Sequence, residues 1–106
     1  MRPNSIVLLT TIYDPSDATR RIPGVFDGGL LPLDSLQELN GRIRDVAART
    51  PHTLVADAHQ HFLGHGVTAD EAERWYWRRS WIEPNVAGAS EIRRLWLDAL
   101  DTVTED

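Results

Sequence analysis

The sequence predicts an α/β chain of three layers, in which a short parallel sheet lies between packed helices. Three observations predict it. Ser5–Thr11, SIVLLTT, holds four consecutive apolar residues, the pattern of a buried strand rather than of an alternating surface strand. A long amphipathic segment follows, with apolar residues at helical spacing from Leu36 to Ala47. Thr53–Ala58, TLVADA, is a second short strand candidate. Strand, helix and strand in that order make a crossover, so the two strands should lie parallel.

The 106 residues allow one small domain. The composition is globular, with 42% hydrophobic and 25% charged residues. The absence of cysteine excludes disulfides, thiolate zinc sites and cysteine nucleophiles. No stretch reaches eighteen apolar residues and the first ten lack a signal-peptide layout, so a cytoplasmic chain without membrane contact is expected. Sixteen acidic against eleven basic residues give a net charge of -5, which argues against a nucleic-acid partner.

Each element has its own signals. The first run is too short for a helix and ends at Tyr13-Asp14-Pro15, where proline removes a donor and restricts the residue before it. A loop of about sixteen residues, running through Pro23-Gly24 and Gly28-Gly29, exceeds the usual connection. It reads as a functional lid or as a place where packing partners are missing. Asp34 with Gln37 fits a capping box, with Leu33 just before the cap. Leu36, Leu39, Ile43, Val46 and Ala47 then form one stripe, with Arg42, Arg44, Asp45 and Arg49 away from it. Gly41 costs this helix about 1 kcal/mol relative to alanine without breaking it, and Thr50-Pro51 ends it.

Asp57 falls at the carboxyl end of the second strand, the edge where ligands gather in open α/β sheets. His59–Gly66, HQHFLGHG, reads as a helical turn closed by Gly64 or Gly66, with Phe62 and Leu63 inward. Thr68 with Glu71 is a second capping box, opening an expected helix over TADEAERWYWRRS. Its acids come first and its arginines last, in the order that the helix dipole favours. Ile82–Asn85 breaks the chain. Asn85 then caps a final helix whose inner face is Ile92, Leu95, Trp96, Ala99 and Leu100.

Several residues carry possible chemistry. On a helix His61 and His65 share a face and, with a carboxylate, suit zinc; His59 points elsewhere and HExxH is absent, so capping and hydrogen bonding is the favoured reading. Glycines on both sides of His65 suggest a tight turn that holds a defined imidazole. No serine sits in a GxSxG elbow, and no P-loop, dinucleotide or EF-hand spacing occurs. Asp57 with Glu83 or Asp14 is a formal carboxylate pair, although acids at strand ends are also ordinary loop caps. Trp75, Tyr76, Trp77 and Trp81 lie beside Arg74, Arg78 and Arg79. Such a patch serves as core, as a partner interface or as a ligand platform. On one helix the three consecutive rings cannot all face one core, so at least one should be exposed.

Taken together, IVLLTTIYDP, LVADAHQHFLGHG and IEPNVAGASEIRRLWLDAL resemble the carboxyl-terminal half of an SGNH hydrolase, the GDSL-type lipase and esterase family. The likeness runs from about Ile6 to Leu100, and its best motif is Glu83–Ala89, EPNVAGA. The family's last block is commonly Asp-x-x-His-Pro-Asn-x-x-Gly-His. Pro84, Asn85 and Gly88 match it. Glu83 stands at the place of the base histidine, Ser80 at that of the orienting aspartate and Ala89 at that of the second histidine. The serine block and the oxyanion-hole blocks have no counterpart.

The resemblance implies a truncated flavodoxin-like unit carrying the last strands of a sheet that in complete members has about five. It further implies an incomplete ester hydrolase domain that is inactive alone, with Glu83 and Ser80 as catalytic positions and Asn85 beside the substrate; Asp57, at the carboxyl end of the second strand, is the other substrate-side candidate. Glutamate is a much weaker base than histidine near neutral pH. His65 in its glycine turn is the alternative base. No cofactor or metal is expected. The expected partners are a second copy or an amino-terminal hydrolase half, and a small ester substrate once the set is complete. The competing reading is a small non-enzymatic interaction module that uses the Trp/Arg patch.

Overall fold

The computed structural model describes residues 5–22, 30–77 and 79–103; Pro23-Gly24, Gly28-Gly29 and Arg78 lie outside them. The apolar run forms β1, Val7–Thr10, and the second run forms β2, Thr53–Ala56. They pair in parallel, Val7 opposite Thr53 and Thr10 opposite Ala56. Between them runs α1, Leu33–Arg49, so the crossover has the expected order. The mixed α/β class with a short parallel sheet is therefore correct.

The start of α1 differs from expectation. The helix begins at Leu33 with Pro32 at its cap and no side-chain cap bond. Asp34 instead lies in the first turn and pairs with Arg20 at 3.1 Å. Proline fixes the entry angle, which leaves Asp34 free to reach the preceding loop. The strongest polar departure from the stripe is Asn40, which is buried. Its Oδ1 accepts from Ile12 N at 2.7 Å and its Nδ2 donates to Ile12 O at 2.8 Å. One amide side chain thus satisfies both backbone groups of the residue that leaves the sheet.

Helices pack on both sides of the sheet. Thr10 accepts from the indole of Trp96 at 2.9 Å, and Trp96 belongs to α3, Val86–Asp101. Thr11, the next residue, turns the other way and donates to Asp57, which Arg44 of α1 also holds. Neighbouring strand residues face opposite sides, so α1 covers one face and α3 the other.

The largest correction concerns Thr68–Ser80, expected as a helix. A short 3-10 turn, Glu71–Glu73, leads instead into an antiparallel hairpin of β3, Tyr76–Trp77, and β4, Ser80–Pro84. Three adjacent aromatic rings favour extended backbone, where they separate onto different sides. Tyr76 is buried, Trp75 is half-buried and Trp77 is exposed. The expected exposed ring is present, but on a strand.

The main aromatic core lies off the sheet. Phe62 at the end of α2, Ala58–Phe62, is fully buried with Ala58 and Tyr76. Tyr13 stacks on Phe62 at 5.2 Å, and Trp75 meets the same ring edge-on at 4.9 Å. Ile92 and Leu95 of α3 close the cluster. Gly64 follows α2 at φ +90, a conformation glycine adopts freely.

Candidate functional site

Asp57 ends β2 and caps α2, accepting from the Gln60 amide at 3.3 Å. Arg44 grips it with two nitrogens, Nη2 at 2.9 Å from Oδ1 and Nε at 3.2 Å from Oδ2. Thr11 Oγ1 donates to it at 2.7 Å and accepts from the His59 amide at 2.9 Å. Burial works against the carboxylate, but the bonds from Arg44, Thr11 and Gln60 and the Arg44 charge outweigh it. Asp57 therefore titrates below the ordinary aspartate value. A carboxylate held in this way orients loops rather than taking up protons near neutral pH.

A second carboxylate ties the loop after β1 to the loop after α2. Asp17, at φ 52, accepts from the amides of Gly64, Gly66 and Thr68 at 2.9 to 3.1 Å and from Thr68 Oγ1 at 2.6 Å. Asp14 is buried and organises its own turn, accepting from Ser16 and from the Ala18 amide.

The side chains of three of the four histidines have partners among the described residues. His59 Nδ1 donates to Ile12 O at 3.0 Å. His65 stacks on Trp75 with centroids 3.5 Å apart and planes within 5°, while its Nδ1 donates to Glu73 O at 2.9 Å. His61 Nε2 reaches Glu91 Oε1 at 2.8 Å, joining α2 to α3, and Arg94 meets the same oxygen at 2.8 Å. Among the described residues no three histidine or carboxylate groups converge as metal ligands. No described helix is long and apolar enough to cross a membrane.

The bond with His61 leads the forces on Glu91; partial burial opposes it, Arg94 adds to it, and the carboxyl lies below the usual glutamate range. Because the folded value is depressed, the stability it contributes is complete above the unfolded pKa. It disappears as pH falls through the lower folded value. Urea unfolding followed between about pH 6 and pH 3 should therefore show an acid limb that Glu91→Gln makes shallower. Asp57 contributes with the same sign, so part of the limb persists in the variant. An unchanged limb would remove Glu91 from the account.

The positions singled out in the sequence fall in three surroundings. His65 lies against Trp75 in the glycine turn. Ser80 opens β4 and pairs across the hairpin with Trp77. Glu83 is exposed near the end of β4, and its charge helps burial to raise the Tyr13 hydroxyl. Tyr13 itself donates to Ile82 O at 3.1 Å. No hydrogen bond joins Ser80, Glu83 and His65 to one another among the described residues. Asn85 caps α3: its Oδ1 accepts from Gly88 N at 2.8 Å, and its Nδ2 donates to Arg74 O and Tyr76 O. Asn85 and Asp57 thus hold backbone in place.

Arg44, Asn40, Asp17 and Glu91 escaped the sequence reading. A signal existed for Asn40, a polar residue inside the apolar stripe; the other three each bond a partner on another element, 13 to 51 residues away along the chain. Compared with known proteins, the chain matches no family model, no curated sequence and no solved structure.

Proposed function

We propose that the chain is the carboxyl-terminal half of an SGNH-type ester hydrolase domain, a truncated flavodoxin-like unit that is inactive alone. The observation that carries this reading is the free edge of β1. Val7 N donates to His52 O and Thr11 N to Ala56 O, so odd-numbered residues of β1 face β2. The backbone groups of Leu8 and Thr10 then point to the opposite side, where no third strand lies among the described residues.

Apolar side chains overhang that side. On α1, Arg44 and Ala48 flank the groove along β2, which places Leu39, Ile43 and Val46 on the flank toward β1. Ile6, Ile12, Leu39, Val46 and Trp96 are each 40–48% exposed. An open strand edge between two such overhangs fits a further parallel strand with helices on both faces. In this reading an amino-terminal half supplies that strand, together with the serine nucleophile. Glu83 and Ser80 then occupy the base and acid positions of the last block, with His65 as the alternative base. Pro84, Asn85 and Gly88 build the strand-to-helix corner that presents them.

The test is hydrolysis of p-nitrophenyl acetate and butyrate by the chain alone and with a segment bearing a GDS-like serine turn. The chain alone should not exceed buffer, and its Leu8 and Thr10 amides should exchange freely with solvent. With the segment, turnover should appear and both amides should become protected. Turnover by the chain alone that disappears in Glu83→Gln or His65→Ala would overturn the reading.

A further inference from the structure

We propose that the hollow between the hairpin and the start of α3 binds a small planar organic carboxylate. The hollow has a volume of about 420 Å³, within the range of small-molecule sites, and Arg74, Tyr76, Trp77, Arg79, Asn85 and Val86 line it with Glu71. Its apolar wall is unusually open. Trp77 is 50% exposed and Val86 is 86% exposed, and both face a concavity rather than a convex surface. A flat ring laid on Trp77 would remove this area from water.

The charge of the hollow selects the sign of its occupant. Arg20, Arg42, Arg44, Arg49 and Arg94 each pair with a carboxylate. Arg79 has no such partner among the described residues. Arg74 gives its Nε to Ala69 O at 2.9 Å and lays its guanidinium over Trp81, 5.1 Å from the ring centroid. Its terminal nitrogens have no carboxylate among the described residues. Two guanidinium groups therefore meet one lining carboxylate, Glu71, in a chain whose net charge is -5.

Two further features favour an anion of fixed geometry. The first amides of α3, at Val86 and Ala87, have no acceptor among the described residues, because Asn85 takes the Gly88 and Ala89 amides. Arg74 is held in place by Ala69 and Trp81, so little of its freedom is lost on binding. A guanidinium and a carboxylate meet in two parallel hydrogen bonds, which a neutral amide or an ammonium group cannot reproduce. The proposal rests on the hairpin and the helix start, and does not depend on completion at β1.

The experiment titrates 2-naphthoate into the ¹⁵N-labelled full chain, with 2-naphthamide and 2-naphthylmethylammonium as uncharged and cationic counterparts. The Trp77 indole N–H and the Val86 amide should shift saturably with naphthoate, while the Trp96 indole stays unmoved. Arg79→Gln should weaken naphthoate by about fivefold or more and leave naphthamide unchanged. Trp77→Ala should abolish both. Equal affinity for naphthoate and naphthamide, shifts centred elsewhere, or no saturation at millimolar concentration would overturn the proposal. The first comparison uses the unaltered chain, so it holds even if a variant fails to fold.

Discussion

Gly88→Ala is expected to destabilise the chain by roughly 3 kcal/mol, because the new methyl has no room. A Cβ at Gly88 would overlap the carbonyl oxygen of Trp75 and stand 3.0 Å from Pro84 Cβ. Neither neighbour can yield easily. Trp75 N donates to His65 O and Trp75 O accepts from Asn85 N, both at 2.9 Å, so this residue is pinned from two sides. The gain of about 1 kcal/mol that alanine brings to a helix interior is too small to offset the clash. Gly41→Ala is the matched control: it lies in α1 with nothing within 4 Å of the added carbon. It should stabilise by about 0.5–1 kcal/mol. Urea midpoints of both variants provide the measurement, and a change of the same sign in both would refute the steric account.

Phe62→Ala should cost about 3–5 kcal/mol, a large share of the 5–15 kcal/mol typical of a whole domain. The ring is fully buried and meets Tyr13, Trp75 and Tyr76, with centroids 4.9 to 5.7 Å away. It lies where the loop after β1, α2 and the hairpin meet, against Tyr13 and Tyr76. Loss of near-ultraviolet aromatic signal should accompany the lower midpoint, because the surrounding rings lose their fixed packing. Phe62→Leu keeps most of the volume and should cost less than half as much. A loss below about 1 kcal/mol for the alanine variant would mean that the cluster collapses onto the gap.

The layout of β1, α1, β2 and α3 was legible because each signal is local. Apolar runs, a stripe at helical spacing and an asparagine before the last helix need no knowledge of distant partners. The segment from Thr68 to Ser80 was misread for the same reason. Its capping box and charge order are local helix signals. The decisive constraint is tertiary: Tyr76 must enter the core beside Phe62, and Trp75 must meet His65. Capping pairs are worth about 1 kcal/mol, and burying an aromatic ring is worth more. The motif around Glu83 was legible in its structural half. Pro84 ends β4, Asn85 caps α3 and Gly88 lets the helix approach Trp75. The bond between Arg44 and Asp57 was hidden because Arg44 sits at the margin of the apolar stripe. A long side chain there reaches inward as readily as outward.

The Asp17 carboxylate also bears on the order in which the chain folds. Its acceptors serve amides 47 to 51 residues further on, almost half the sequence away. The pairing of β1 with β2, Val7 opposite Thr53, spans a similar 46 residues and carries a comparable loop-closure cost. Once the two strands have paired, the loops that remain between them and the latch are short, so closing it costs little further entropy. Since one side chain holds Gly64, Gly66 and Thr68 together, the three amides are released or kept as a single cooperative unit. A lone carboxylate in this way makes the loop after β1 and the loop after α2 open or close together.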